Sequence, residues 1–136
     1  MNFFDTINEY EETLRSCIIA YKVTNNPYWL FLAGDSALKN GDVKSADYYF
    51  NACVKQNNSY ANEGFGDINY LNNQYDNAIN NYRNAIYSNS EEQIRIQRKI
   101  SNAAVKKRNI FMGYEFFISK LYKCNEYTKQ YIFIFF

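Results

Sequence analysis

The sequence predicts an all-α fold of stacked antiparallel helix hairpins, and three observations carry that prediction. Residues 26–55 and 58–87 align without a gap at an offset of 32. Each segment is interrupted once by a turn-forming cluster, Asn40-Gly41-Asp42 in the first and Asn72-Asn73-Gln74 in the second. After each turn, small and aromatic residues recur at helical spacing: Val43, Ala46, Phe50 and Cys53, then Tyr75, Ala78, Tyr82 and Ala85. Self-similarity at this period is the signature of a repeat architecture, in which each unit buries its apolar face against the next. The 136 residues have the size of one domain, long enough to bury a core without disulfide or metal staples.

Taken in order, residues 1–25 form an N-terminal cap. Its helix spans 6–22, with Ile7, Tyr10, Leu14, Ile18 and Tyr21 on one side, large where repeat helices are small. Pro27 opens the next helix at a position where its missing N–H costs nothing. The first repeat covers 26–57 and the second 58–90; Gly34 aligns with Gly66, Asp35 with Asp67, Ala46 with Ala78 and Phe50 with Tyr82. The glycines and alanines let two backbones approach while Phe50 or Tyr82 fills the space beside them. A sixth helix starts at Ser90 as cap, with Glu91-Glu92-Gln93 in the first turn, and runs to about residue 107. A seventh over 109–122 carries Ile110, Gly113 and Phe117 at the spacing of Val43, Ala46 and Phe50. It completes a degenerate third repeat over 91–126 with Ser101 in the role of Gly34. A second phase matches Phe117, Tyr122, Asn125 and Tyr127 to Phe65, Tyr70, Asn73 and Tyr75. Either phase gives seven or eight helices, followed at 127–136 by an apolar tail or the start of a further helix. The tail ends in Tyr131-Ile132-Phe133-Ile134-Phe135-Phe136, which folds back over the last hairpin, docks to a partner or continues a longer array.

The order of small residue, turn, small residue and aromatic, repeated from Gly34–Cys53 to Gly66–Ala85, resembles the tetratricopeptide repeat. Neither unit ends in that family's usual proline, and the offset of 32 falls short of its ~34 residues. The resemblance implies a right-handed superhelix whose first helices line a concave groove. The groove positions it implies are Tyr28, Phe31, Asp35 and Leu38, then Tyr60, Glu63, Asp67 and Tyr70, then Arg95, Arg98, Asn102 and Lys106 with Lys99 beside them. Such a groove runs from aromatic and acidic to basic and binds a peptide or partner segment, the basic end suiting a carboxylate, phosphate or acidic side chain. Alternatively, Arg95 and Arg98 pair with Glu63 and Asp67 and zip the stack. Family members that clamp a chaperone's C-terminal carboxylate use Lys and Asn where this chain has Phe31, Asp35 and Gly64, so no such binding is expected. The plan of cap, hairpins and tail is also similar to small bacterial secretion chaperones.

Composition points away from chemistry. The chain has no histidine, which removes the commonest general base and metal ligand. Gly64-Phe65-Gly66 lacks the Lys-Ser/Thr of a phosphate loop, and Glu11-Glu12 and Glu91-Glu92 sit at helix starts. We therefore expect no enzyme activity, cofactor, metal or small-molecule substrate. A net charge of +1 offers no field toward nucleic acid, although Arg95, Arg98, Lys99, Lys106, Lys107 and Arg108 cluster locally. No stretch approaches the ~20 apolar residues that span a bilayer, so no membrane insertion is expected. Cys17, Cys53 and Cys124 lack CxxC spacing, which suits free thiols in the cytoplasm. The expectation is a cytoplasmic protein-binding module, with self-association through the C-terminal tail as the structural alternative.

Overall fold

The structure, a computed structural model, describes the backbone over residues 3–135 and the side chains over 8–123. Within the described residues there are six helices and no strand: α1 (Phe3–Thr24), α2 (Tyr28–Lys39), α3 (Val43–Cys53), α4 (Asn58–Leu71), α5 (Tyr75–Asn84) and α6 (Ser90–Phe135). Each helix packs on its neighbours in the chain, and α2 also touches α4. The protein is all-α.

The turns form where the sequence places them, for reasons visible in the backbone. Gly41 has φ +82°, a conformation that costs a residue without Cβ little. Asp42 then caps α3, its carboxylate accepting the Ser45 N–H at 3.0 Å. Asn73, at φ +62°, plays the part of Gly41 in the second hairpin; Asn tolerates this region better than most residues. Between the hairpins, the Asn57 side chain accepts the N–H groups of Ser59 and Tyr60 and starts α4. Pro27 immediately precedes α2, at φ −62°.

Two aromatic knobs hold the hairpins together. Phe50 and Tyr82 are buried, as are Ala46 and Ala78 beneath them. A Cβ on Gly34 would lie 2.4 Å from the Phe50 ring, one on Gly64 2.3 Å, and one on Gly66 2.5 Å from Tyr82. The expected close approaches at Gly34 and Gly66 are present. Gly64 adds one the repeat alignment does not pair: Phe50 is held between a glycine of its own hairpin and a glycine of the next. In α1, Cys17 is buried and Tyr10 and Tyr21 pack against the core, while the Ile7 side chain lies outside those described.

The third hairpin is where the structure departs from expectation. In place of two helices with a break near 107–109, α6 runs without interruption for 46 residues, which makes six helices rather than seven or eight. The physical reason is local. Lys106-Lys107-Arg108 are good helix formers, and no residue there adopts the positive φ that turns the chain at Gly41 and Asn73. Ser101 is exposed, and a Cβ on Gly113 would meet nothing within 4 Å, so neither takes the close-contact role of Gly34 or Ala46. Asn89, not Ser90, caps the helix, its side chain accepting the Glu91 N–H at 2.8 Å. The side chains of Asn125, Tyr127 and the apolar tail at 131–136 lie outside those described. Among the described residues no helix is long and apolar enough to cross a membrane.

Candidate functional site

Because α2, α4 and the first half of α6 run side by side, the residues spaced by three and four on each come together on one face. From α2, Phe31 stacks on Tyr60 of α4 at 5.4 Å between ring centroids, and Tyr28 leans on Tyr60 at 5.8 Å. From α6, the Arg95 guanidinium and the Lys99 ammonium reach back over the Phe31 ring, at 5.5 and 5.7 Å from its centroid. The cation–π contacts join α6 to α2, and the Phe31–Tyr60 stack brings in α4 at the same point.

Beneath that point lies Glu63, whose relative exposure is 0%. A buried carboxylate is costly unless charge and hydrogen bonds compensate it. Here the compensation is complete. Arg95 grips it with two parallel bonds, Nε to Oε1 and Nη2 to Oε2, both 2.7 Å. Lys99 stands 3.0 Å from Oε1, and the Tyr87 hydroxyl donates to Oε2 at 2.6 Å. Lys99 also donates to Asp67 at 2.8 Å, and the Tyr82 hydroxyl donates to the other Asp67 oxygen at 2.7 Å. No buried side-chain nitrogen or oxygen among the described residues is left without a partner.

The titration of these groups follows from the same geometry. Burial pushes Glu63 up, but the Arg95 fork, Lys99 and Tyr87 outweigh it and hold the carboxyl below the ordinary glutamate range. For Asp67 burial prevails over Lys99 and Tyr82, and its pKa is raised. Burial works against the Lys99 ammonium, yet Asp67 and Glu63 more than offset it, so its pKa rises. Tyr82 and Tyr87 are pushed up, chiefly by burial and then by the carboxylates they serve, and remain neutral donors.

No family model and no curated relative matches the chain. What can be said of the site therefore rests on its geometry.

That geometry divides the face in two. On one side of the Phe31–Arg95–Lys99 bridge is an open cleft of about 440 Å³ lined by Asn26, Tyr28, Tyr60, Glu92, Arg95 and Arg98 among others. The other side holds one of about 360 Å³ between Asp35, Leu38, Asp67, Tyr70, Leu71 and Lys99. Of the residues the sequence assigns to one groove, Phe31, Tyr60 and Glu63 are buried, while Arg95 is taken up by Glu63, and Asp67 and Lys99 by each other. Tyr28, Asp35 and Tyr70 are half-buried; Arg98 and Asn102 are exposed. The expected zipper exists with different partners. Glu63 takes Arg95, but Asp67 takes Lys99, and Arg98 makes neither pair. Asp35 pairs within its own helix with Lys39 at 2.9 Å.

Sequence reasoning did not assign Tyr87 to the site, nor the hydroxyl of Tyr82, nor Glu92, which accepts the Tyr60 hydroxyl at 2.6 Å. A signal for Glu92 was present. Tyr60–Glu92, Glu63–Arg95 and Asp67–Lys99 are all 32 residues apart, the offset that aligns the first two repeats. Placing Ser101 opposite Gly66 shifts the third unit by 35 and hides these pairs. Neither described cysteine is primed as a nucleophile. Cys17 and Cys53 are buried free thiols, and burial raises both pKa values, that of Cys53 to about 11.

Proposed function

We propose that the chain is a tetratricopeptide-type, non-enzymatic module that binds a segment of another protein on the face formed by α2, α4 and α6. The observation that carries this reading is the cleft beside Tyr28 and Tyr60, where the exposed guanidinium of Arg98 stands outside the neutralised Glu63–Asp67–Arg95–Lys99 cluster. Half-buried tyrosine beside an accessible arginine is a combination enriched at protein contacts. Phe31, Tyr60 and Glu63 act beneath that surface, holding the helices in place. Because the four clustered charges cancel, a purely acidic ligand finds little uncompensated charge at the centre, and Arg98 supplies the specific contact at the rim.

The test is co-purification from the native cell with mass spectrometry, comparing the natural chain with Arg98→Glu. Arg98 is exposed and makes no salt bridge among the described residues, so the substitution leaves the fold intact. Loss of a defined protein from the Arg98→Glu preparation supports the reading. Identical partner sets from both chains would remove this cleft from the interface.

A further inference from the structure

A second cleft, of about 550 Å³, lies between α5 and α6 and shares no lining residue with the one beside Tyr28 and Tyr60. Two helical stripes line it, Asp76, Ile79 and Arg83 from α5 and Ala104, Lys107, Arg108 and Phe111 from α6. Residues three, four and seven apart share one face of a helix, so each stripe is a continuous ridge. The lining is apolar at Ile79, Ala104 and Phe111. Ile79 packs against the core, and Ala104 leaves the cleft open because its side chain ends at Cβ.

The charges in this cleft do not balance. Lys107 is committed to Asp76 at 2.6 Å, whereas Arg83 and Arg108 are exposed and make no salt bridge among the described residues. Three cations therefore face one carboxylate, an excess of two on a chain whose net charge is only +1. The Asp76–Lys107 pair fixes the level of α5 against α6. Arg108 stands beside that pair and Arg83 lies seven residues further along α5, so the two uncommitted arginines are anchored about 10 Å apart along the cleft.

We infer that the α5–α6 cleft is a second docking surface, whose occupant is an acidic amphipathic helix of a partner protein carrying carboxylates at positions i and i+7. A groove between two helix ridges takes a third helix by receiving its apolar stripe. Positions i and i+7 of that helix are also about 10 Å apart, so one carboxylate meets Arg83 and the other Arg108, each in a charge-assisted pair. Charge selects against the other occupants. A two-fold contact with a second copy of this chain would bring the positive excess of both copies together. Nucleic acid would find only two uncommitted cations to neutralise its phosphates, with the Asp76 carboxylate among them.

Fluorescence anisotropy of the full chain with defined probes tests the inference. The first probe is a labelled Ala/Leu helical peptide of about 15 residues with two Glu seven positions apart; the second carries Lys in their place; the third is a single-stranded oligothymidylate. The expected result is saturable binding of the Glu peptide that weakens as salt is raised. Arg83→Glu and Arg108→Glu should each weaken it by about tenfold or more, and Arg83→Gln and Arg108→Gln by less, with thermal unfolding midpoints by circular dichroism unchanged. Arg98→Glu, the same change of charge in the Tyr28–Tyr60 cleft, should leave binding of the Glu peptide as it is. An equal loss in Arg98→Glu would reduce the effect to net charge and overturn the inference without touching the other cleft. So would no saturable binding of the Glu peptide, or equal binding of the Lys peptide. Tighter binding of the oligothymidylate, abolished by Arg83→Glu and Arg108→Glu, would give the cleft to nucleic acid and likewise overturn it.

Discussion

The two halves of α6 carry one apolar stripe in one register, yet only the first half is part of a core. Up to Lys107 the stripe meets α5, and Ile96 and Ala103 are lost from solvent; from Ile110 to Leu121 the same spacing points at water. The difference teaches that amphipathic periodicity specifies which side of a helix wants a partner, not whether the chain supplies one. It also separates two settings of one helix: the first half is fixed by buried charge clasped to α4, whereas the side chains described from Ile110 to Lys123 are exposed.

Substitutions can break or sharpen that contrast. The largest effect belongs to the clasp. Arg95→Ala leaves Glu63 buried with half of its compensation and should cost roughly 3–5 kcal/mol of unfolding free energy, read from urea denaturation followed by circular dichroism. A comparable truncation in the second half, Phe117→Ala, should stay within about 0.5 kcal/mol for the monomer.

Next comes the charge itself. Glu63→Gln keeps the shape but weakens the Arg95 fork, at a cost of about 1–3 kcal/mol near neutral pH. The sign of the pH dependence follows from a folded-state pKa held below the ordinary value of 4.5. The stabilisation by Glu63 is fully present above that value and is lost as pH falls through the folded-state pKa. Asp67, with its pKa raised, works the other way: its contribution is lost as pH rises. The gap in stability between the natural chain and Glu63→Gln should therefore narrow as the pH drops below 4.5, measured by denaturation at pH 7 and at successively lower pH.

Glycine offers the cleanest comparison, since one substitution should have opposite signs in the two regions. Gly64→Ala drives a methyl into the Phe50 ring and should destabilise by about 1–3 kcal/mol. Gly113→Ala meets open space in a helix interior and should stabilise by roughly 0.5–1 kcal/mol. Equal effects in thermal unfolding would erase the distinction between the halves. The smallest change lies at their junction. Lys107→Ala removes an exposed ion pair with Asp76 and should alter stability by about 0–1 kcal/mol, less still at high salt.

The hairpins were legible because their signals are local and act twice. Gly41 and Asn73 turn the chain through backbone conformations that few residues tolerate, and Phe50 and Tyr82 announce knobs by their spacing to small residues. The end of the third unit was not legible from the same rules. Ile110, Gly113 and Phe117 repeat the pattern of a packed helix, but without a turn-forming residue before them the helix simply continues.

The sequence by itself determined the helices of the first two hairpins, their turns, the glycine–aromatic contacts at Gly34 and Gly66, and a face where acid and base lie near one another. Only the tertiary structure decided that Glu63 lies inside, that Lys99 rather than Arg98 serves Asp67, and that Tyr82 and Tyr87 complete the cluster. Burial and pairing depend on which side chains arrive from other helices, and a carboxylate in a linear sequence carries no mark of the water it will lose. The rotation of α6 against α4 sets that outcome, placing Arg95 and Lys99 inward and Arg98 at the rim.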